Sequence, residues 1–254
     1  MLLAILLTLQ SATTPPKPLP TITELRYQEC IAHAANDAAS TIVEAQLWLK
    51  ENGGFLGQEC LATALASDFK FVQAAPVFVQ AAKGAEAAGD SRAATFWAQA
   101  GNAAIAADQP LDAIIALDAA LASPALTNAE RGDVLIDKAR ALVAAKREKD
   151  ADSLLAEARR IAPENAVGWL MSATLKRRLG DLTQAQGFIS TAASLAPREP
   201  AIALEAGNIA AAAGNDAAAK RAWEQVIAIA PDSRQAVTAK AWLAGLEASP
   251  KPTR

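Results

Sequence analysis

Residues Ala166 to Pro197 read AVGWLMSATLKRRLGDLTQAQGFISTAASLAP, and Pro200 to Pro231 read PAIALEAGNIAAAAGNDAAAKRAWEQVIAIAP. A shift of 34 positions lays Gly180 on Gly214, Ala185 on Ala219 and Pro197 on Pro231. A third proline, Pro163, stands one period upstream. Each of these prolines follows a helical, Ala-rich run, RRIAP, ASLAP or IAIAP. A glycine in the left-handed conformation ends one helix. A proline, lacking an amide hydrogen and clashing with the preceding turn, closes the next. One glycine and one proline per period thus mark a pair of helices repeated in tandem.

The whole composition agrees with these two stretches. Of 254 residues 65 are alanine, the hydrophobic fraction is 52% and the aromatic fraction only 5%. Alanine is the best helix former and lets helices approach closely. The scarcity of β-branched and aromatic residues argues against a sandwich or barrel. Charged residues make up 20% with both signs mixed, so the chain is not a disordered polyelectrolyte. A net charge of -3 and a pI near 5.3 argue against a general nucleic-acid binder.

The repeat resembles the tetratricopeptide repeat (TPR) family. The unit starting at Ala166 matches the family pattern with Trp169, Ala173, Gly180, Ala185, Ile189, Ala192 and Pro197. The unit starting at Pro200 matches with Gly207, Gly214, Ala219, Trp223, Val226 and Pro231, without the first Trp. The unit from Gly132 keeps Ala139, Ala151, Leu155, Ala158 and Pro163 but lacks the turn glycine, and that from Ala94 keeps Trp97, Gly101, Ala113, Leu117 and Ala120. A looser unit starts near Phe55. The last two steps between starts are 34 residues; the earlier ones, 39 and 38, call for extensions at Lys83 to Arg92 and Pro124 to Arg131. In the second, Thr127 and Glu130 form a capping-box pattern. Residues 23–52 read as a diverged leading pair, and Asp232 or Ser233 as the cap of a last helix over 233–246 with Trp242 turned inward. The expected architecture is therefore an all-α, TPR-type solenoid over 23–247 with a C-terminal capping helix.

Residues Met1 to Leu9 are apolar except Thr8, a run too short to span a bilayer. It fits the apolar region of a signal peptide over 1–12, followed by a proline-rich linker over 13–22; 248–254 read as a flexible tail. Export to the periplasm or beyond follows, with no stable membrane insertion after cleavage. An exported chain with two cysteines is read as disulfide-bonded, the alternative being two buried free thiols. In a solenoid, Cys30 and Cys60 fall on the first helices of neighbouring units, which pack side by side within disulfide reach. Two cysteines are too few for a zinc site, so no metal and no cofactor are expected.

No catalytic arrangement emerges, and the chain is read as a non-enzyme. The single histidine, His33, has no nucleophile motif to serve. Asp133 and Asp137 share a helix face with nothing converging on them. Residues 174–190 have the outline of a DNA-reading helix-turn-helix, a remote alternative, but they lie in register with the repeat. The five tryptophans leave open a glycan or small-ligand module, although their spacing suits packing. The TPR resemblance implies a concave groove lined by the first helices and a partner protein or peptide within it. Carried over, its contact positions are Asn102, Arg140, Arg177 and Asn208 for polar contact and Ile136, Leu170, Met171 and Leu204 for apolar contact. Gln99, Asp137 and Glu205 occupy a further groove position. Asn can donate to and accept from a peptide backbone at once.

Overall fold

The structure, a computed structural model, describes residues 20–248. The leader, most of the linker and the tail after Ala248 lie outside them. The described residues form thirteen helices and no strand. Six antiparallel pairs follow one another: α1 (Ile22–Ala34) with α2 (Ala38–Lys50), α3 (Gly54–Ser67) with α4 (Phe71–Ala87), α5 (Ala93–Ala106) with α6 (Pro110–Ala122), α7 (Asn128–Ala144) with α8 (Glu148–Ile161), α9 (Ala166–Arg178) with α10 (Leu182–Leu195), and α11 (Pro200–Ala212) with α12 (Asp216–Ile229). A last helix, α13 (Arg234–Ala248), packs on α11 and α12. None is long and apolar enough to cross a membrane.

The punctuation expected from the sequence sets the boundaries. α8, α10 and α12 stop at Ile161, Leu195 and Ile229. The residue before each proline, Ala162, Ala196 or Ala230, leaves the helical region, with ψ between 66° and 74°, as the following proline ring disfavours the helical conformation there. The Thr127–Glu130 capping box opens α7, and Ser233, not Asp232, accepts from the Ala236 amide at 3.1 Å to cap α13. The long steps of the N-terminal units are not long connections. α4 and α7 have 17 residues each where the other paired helices have 13 or 14, so most of the extra length is helix.

Alanine makes the close packing possible. Ala62, Ala74, Ala81, Ala113, Ala139, Ala151, Ala185 and Ala219 are fully enclosed. Where helices come closer still, glycine is required: a Cβ on Gly207 would lie 2.2 Å from the Trp223 indole nitrogen. Trp48, Trp97 and Trp223 are buried. Trp242, expected inward, is 40% exposed, although its ring centroid stands 5.4 Å from that of the buried Trp223.

Candidate partner-binding groove

First helices of neighbouring pairs pack on one another: α1 on α3, α5 on α7, α7 on α9, α9 on α11 and α11 on α13. Second helices pack chiefly on first helices. A row spaced more closely than the layer behind it lies on the inside of a curve, so the first helices form the concave face.

Each junction in this row from α1 to α11 is bridged. α1 and α3 are joined covalently by Cys30 and Cys60, whose Cα atoms are 5.9 Å apart. From α3 to α11 a donor on one first helix, or on the residue capping it, meets a carboxylate on its neighbour. The Gln99 amide donates to Glu59 at 3.2 Å, crossing α5 to α3. The Asn102 amide donates to Asp137 at 2.9 Å, crossing α5 to α7. Asn165, the cap of α9, donates to Asp133 of α7 at 2.7 Å. Arg177 of α9 donates to Glu205 of α11 at 2.6 Å. Asp133 and Asp137, far from acid–base work, are two of these bridges.

The residues expected to contact a partner fall into three groups. Asn102 and Arg140 are exposed and share Asp137, which accepts from Arg140 at 2.8 Å. Arg177 and Asn208 instead serve Glu205, which is only 6% exposed; Asn208 donates to it at 2.9 Å and accepts from the Trp223 indole at 3.3 Å. Leu170, Met171 and Leu204 are half-buried and keep an open edge. Ile136 is a correction: it is 3% exposed and belongs to the core. Its Cδ1 reaches within 3.4 Å of where a Gly168 Cβ would stand, so the space left by that glycine draws the side chain between α7 and α9.

One inward-facing group was not anticipated. Glu59 is 2% exposed and is the only ionisable side chain of α3 besides the bonded Cys60. It accepts from Thr63 at 3.0 Å and from Gln99, while its Oε2 and the Gln99 Oε1 are buried with no hydrogen-bond partner. Burial pushes the Glu59 carboxyl above the ordinary carboxylate range, against the pull of Thr63, Tyr27 and Gln99. Burial and the neighbouring Glu59 likewise raise the Tyr27 phenol. Arg92 lies over the Tyr27 and Phe55 rings at 5.4 and 5.9 Å and pairs with Glu24 at 3.0 Å. A single acid within GFLGQECLATALAS was the available signal for this cluster.

The remaining sequence motifs are spent on structure. Of the three basic residues ending α9, Lys176 pairs with Asp152 at 2.8 Å and Arg177 with Glu205, leaving Arg178 for solvent. Trp169 is half-buried, donates to the Pro163 carbonyl at 2.7 Å and packs under Arg159. Neither a basic reading helix nor an open tryptophan platform results. No group of metal-ligating side chains occurs among the described residues.

No protein-family model matches the chain, and no curated protein matches it. Solved structures do. PilW, described as a widely conserved type IV pilus biogenesis factor, aligns with a TM-score of 0.70 at 19% identity over 87% of this chain and 99% of its own. PilF of Pseudomonas aeruginosa aligns at 0.63 and 15% identity over 87% and 99%. TTC0263, a TPR protein of Thermus thermophilus, aligns at 0.60 and 17% identity over 76% and 98%. With the helix pairs, turns and inner row described above, these likenesses establish the chain as a tetratricopeptide-repeat solenoid in its fold.

Proposed function

We propose that this chain is a non-catalytic scaffold that binds a partner polypeptide along its concave face, within a bacterial envelope complex. The observation that carries the reading is the inner row itself. Rigidly bridged first helices present the exposed Asn102 and Arg140 beside the half-buried edges of Leu170, Met171 and Leu204. Such a surface offers an extended peptide or a partner helix both hydrogen bonds and apolar contact without a folding cost. Asn102 keeps its carbonyl oxygen, and Arg140 is 47% exposed with donors to spare. The apolar leader over 1–12 and the Cys30–Cys60 bond support an oxidising, exported setting.

The intramolecular bridges determine how this is tested. Replacing Arg177 or Asn208 would leave the buried Glu205 short of partners and confuse binding with stability. Asn102 and Arg140 are the clean probes. The double variant Asn102→Ala with Arg140→Ala should keep the wild-type helical signal, with a melting temperature only slightly lowered, because the Asp137 contacts it removes are surface contacts worth about 1 kcal/mol or less. Affinity capture from an envelope fraction should lose the specific partner by roughly tenfold or more, as two contacts of about 0.5–1.5 kcal/mol imply. Equal capture by wild type and variant would move the site off this face.

A further inference from the structure

On the side away from the inner row, α4 and α6 flank α5 and leave a groove of about 620 Å³. Trp97, Ala100 and Ala104 of α5 form its floor; Val72 and Val79 of α4 and Ile115 of α6 form its walls. Val72 and Ile115 are 62% and 66% exposed. The apolar surface continues onto Leu111 and onto Phe69, whose ring is 82% exposed. Phe69 also holds φ at 57°, a region disfavoured for a bulky residue. That backbone belongs to the turn between paired helices; it is the open aromatic ring, continuous with the groove, that marks a surface kept for contact.

The groove has a direction. α4 and α6 are both antiparallel to α5, so they run the same way. Asp112, in the first turn of α6, stands at one end, and Lys83, in the last turns of α4, at the other. Neither is in an ion pair among the described residues. From Val72 to Lys83 the groove is about 16 Å long at 1.5 Å per residue. An apolar slot of this length with an acid at one end and a base at the other matches a helix whose positive pole faces Asp112 and whose negative pole faces Lys83.

We propose that this groove receives α13 of a second copy of the chain. Among the described residues no second helix covers α13 as the other first helices are covered. Its open side carries Arg234, Val237 and Ala241, spaced as one helical stripe, with Trp242 beside them. Val237 is 66% exposed. Arg234 is the first residue of α13, so a guanidinium and the helix N-terminus meet Asp112 together, while the last carbonyls approach Lys83. The 15 residues of α13 extend about 22 Å, enough to fill the groove. The two surfaces differ, so the contact is heterologous: each copy offers one groove and one helix.

Sedimentation equilibrium of the purified protein tests this. The average mass should rise above the monomer as concentration approaches about 1 mM, the range of a weak specific contact. Ile115→Glu and Val237→Glu change exposed positions, so the helical signal should hold, and each variant alone should stay monomeric. An equimolar mixture of the two should associate again, because the intact groove of one meets the intact α13 of the other. Asp112→Lys should weaken association by tenfold or more, and adding Arg234→Asp should restore it. A wild-type protein that stays monomeric throughout, association that survives both glutamate variants, or a mixture that stays monomeric would each overturn the proposal.

Discussion

The two halves of the solenoid make the same turn from different residues. Between paired helices the chain passes through the left-handed region at Phe69, Asp108, Lys146, Gly180 and Gly214, with φ between 57° and 83°. Each turn closes with the same two hydrogen bonds; that at Lys146 runs from its own amide to Val143 and from the Arg147 amide to Leu142, and that at Gly180 has the corresponding pair. Only the two C-terminal turns use glycine, which adopts this conformation without strain. The N-terminal half compensates elsewhere. Its first junction carries a disulfide, and one core cluster runs from Cys30 to Leu175, whereas the C-terminal half is divided between two smaller clusters. A repeat can hold its shape either by local agreement between residue and backbone or by cross-links and a shared core. The two halves lie toward opposite ends of that choice.

Breaking the cross-link should give the largest effect in the N-terminal half. The bond closes a loop of 30 residues, so Cys30→Ser with Cys60→Ser should cost about 3.5 kcal/mol on the chain-entropy account. Hydrogen exchange should show the loss in α1 and α2, with α9 to α12 protected as before. Loss spread evenly over all pairs would mean that the halves are not separate in stability. The matching disruption at the other end is Gly207→Ala, whose methyl must displace the Trp223 indole. A loss of about 2–3 kcal/mol is expected, read by denaturant unfolding and confined to α11 to α13.

In the N-terminal half, pH should act through Glu59. Between the ordinary carboxylate range and the raised folded value of Glu59, the folded state binds more protons than the unfolded state. Stability from this group is therefore complete at low pH and falls as pH rises through that window. Glu59→Gln should flatten this dependence and raise stability at neutral pH by about 1 kcal/mol, since an amide needs no ionisation and can donate where the Gln99 oxygen lacks a partner. Melting curves from pH 4 to pH 8 decide the sign; a variant that keeps the wild-type slope would assign the dependence to another group.

The turns give the smallest effect and the sharpest comparison. Lys146→Gly should stabilise by about 0.5 kcal/mol, the relief of left-handed strain exceeding the added freedom of the unfolded chain, while Gly180→Ala should destabilise by about 1 kcal/mol. Opposite signs at equivalent positions would show the turn to be one device with two residue choices. The same sign at both would separate them.

What the amino-acid sequence disclosed follows the same division. The pairs from Ala166 onward announce themselves because Gly180, Gly214 and the spaced prolines are the residues their backbone demands. Upstream, Phe69, Asp108 and Lys146 occupy that backbone without advertising it, and the lengthened α4 and α7 shift the period. Groove positions were harder to read. Ile136 takes a groove position in the repeat pattern yet fills the space beside Gly168, which only the packing of α7 on α9 reveals. Arg177 looks like a free polar contact until Glu205 of the neighbouring pair is seen to hold it, and Asn208 until the same Glu205, one turn away on its own helix, is found to be buried. Glu59 has the composition of a surface residue and the location of a core one. Its partner Gln99 lies 40 residues away, beyond the reach of any local pattern.

The division of the core into three clusters has a mechanical consequence. A force applied across the ends of the molecule would load the clusters in series. The cluster between Ala203 and Leu246 rests on few large side chains, among them Trp223 and Val226, and should yield first. Its release adds on the order of 15 nm of chain at about 3.4 Å per residue. The cluster between Ala173 and Ile209 follows, and the long one from Cys30 to Leu175 resists last. Even then the loop between Cys30 and Cys60 stays shortened by its covalent tie. Under tension the protein would behave as a graded tether, paying out length from its C-terminal end while its N-terminal end keeps its shape.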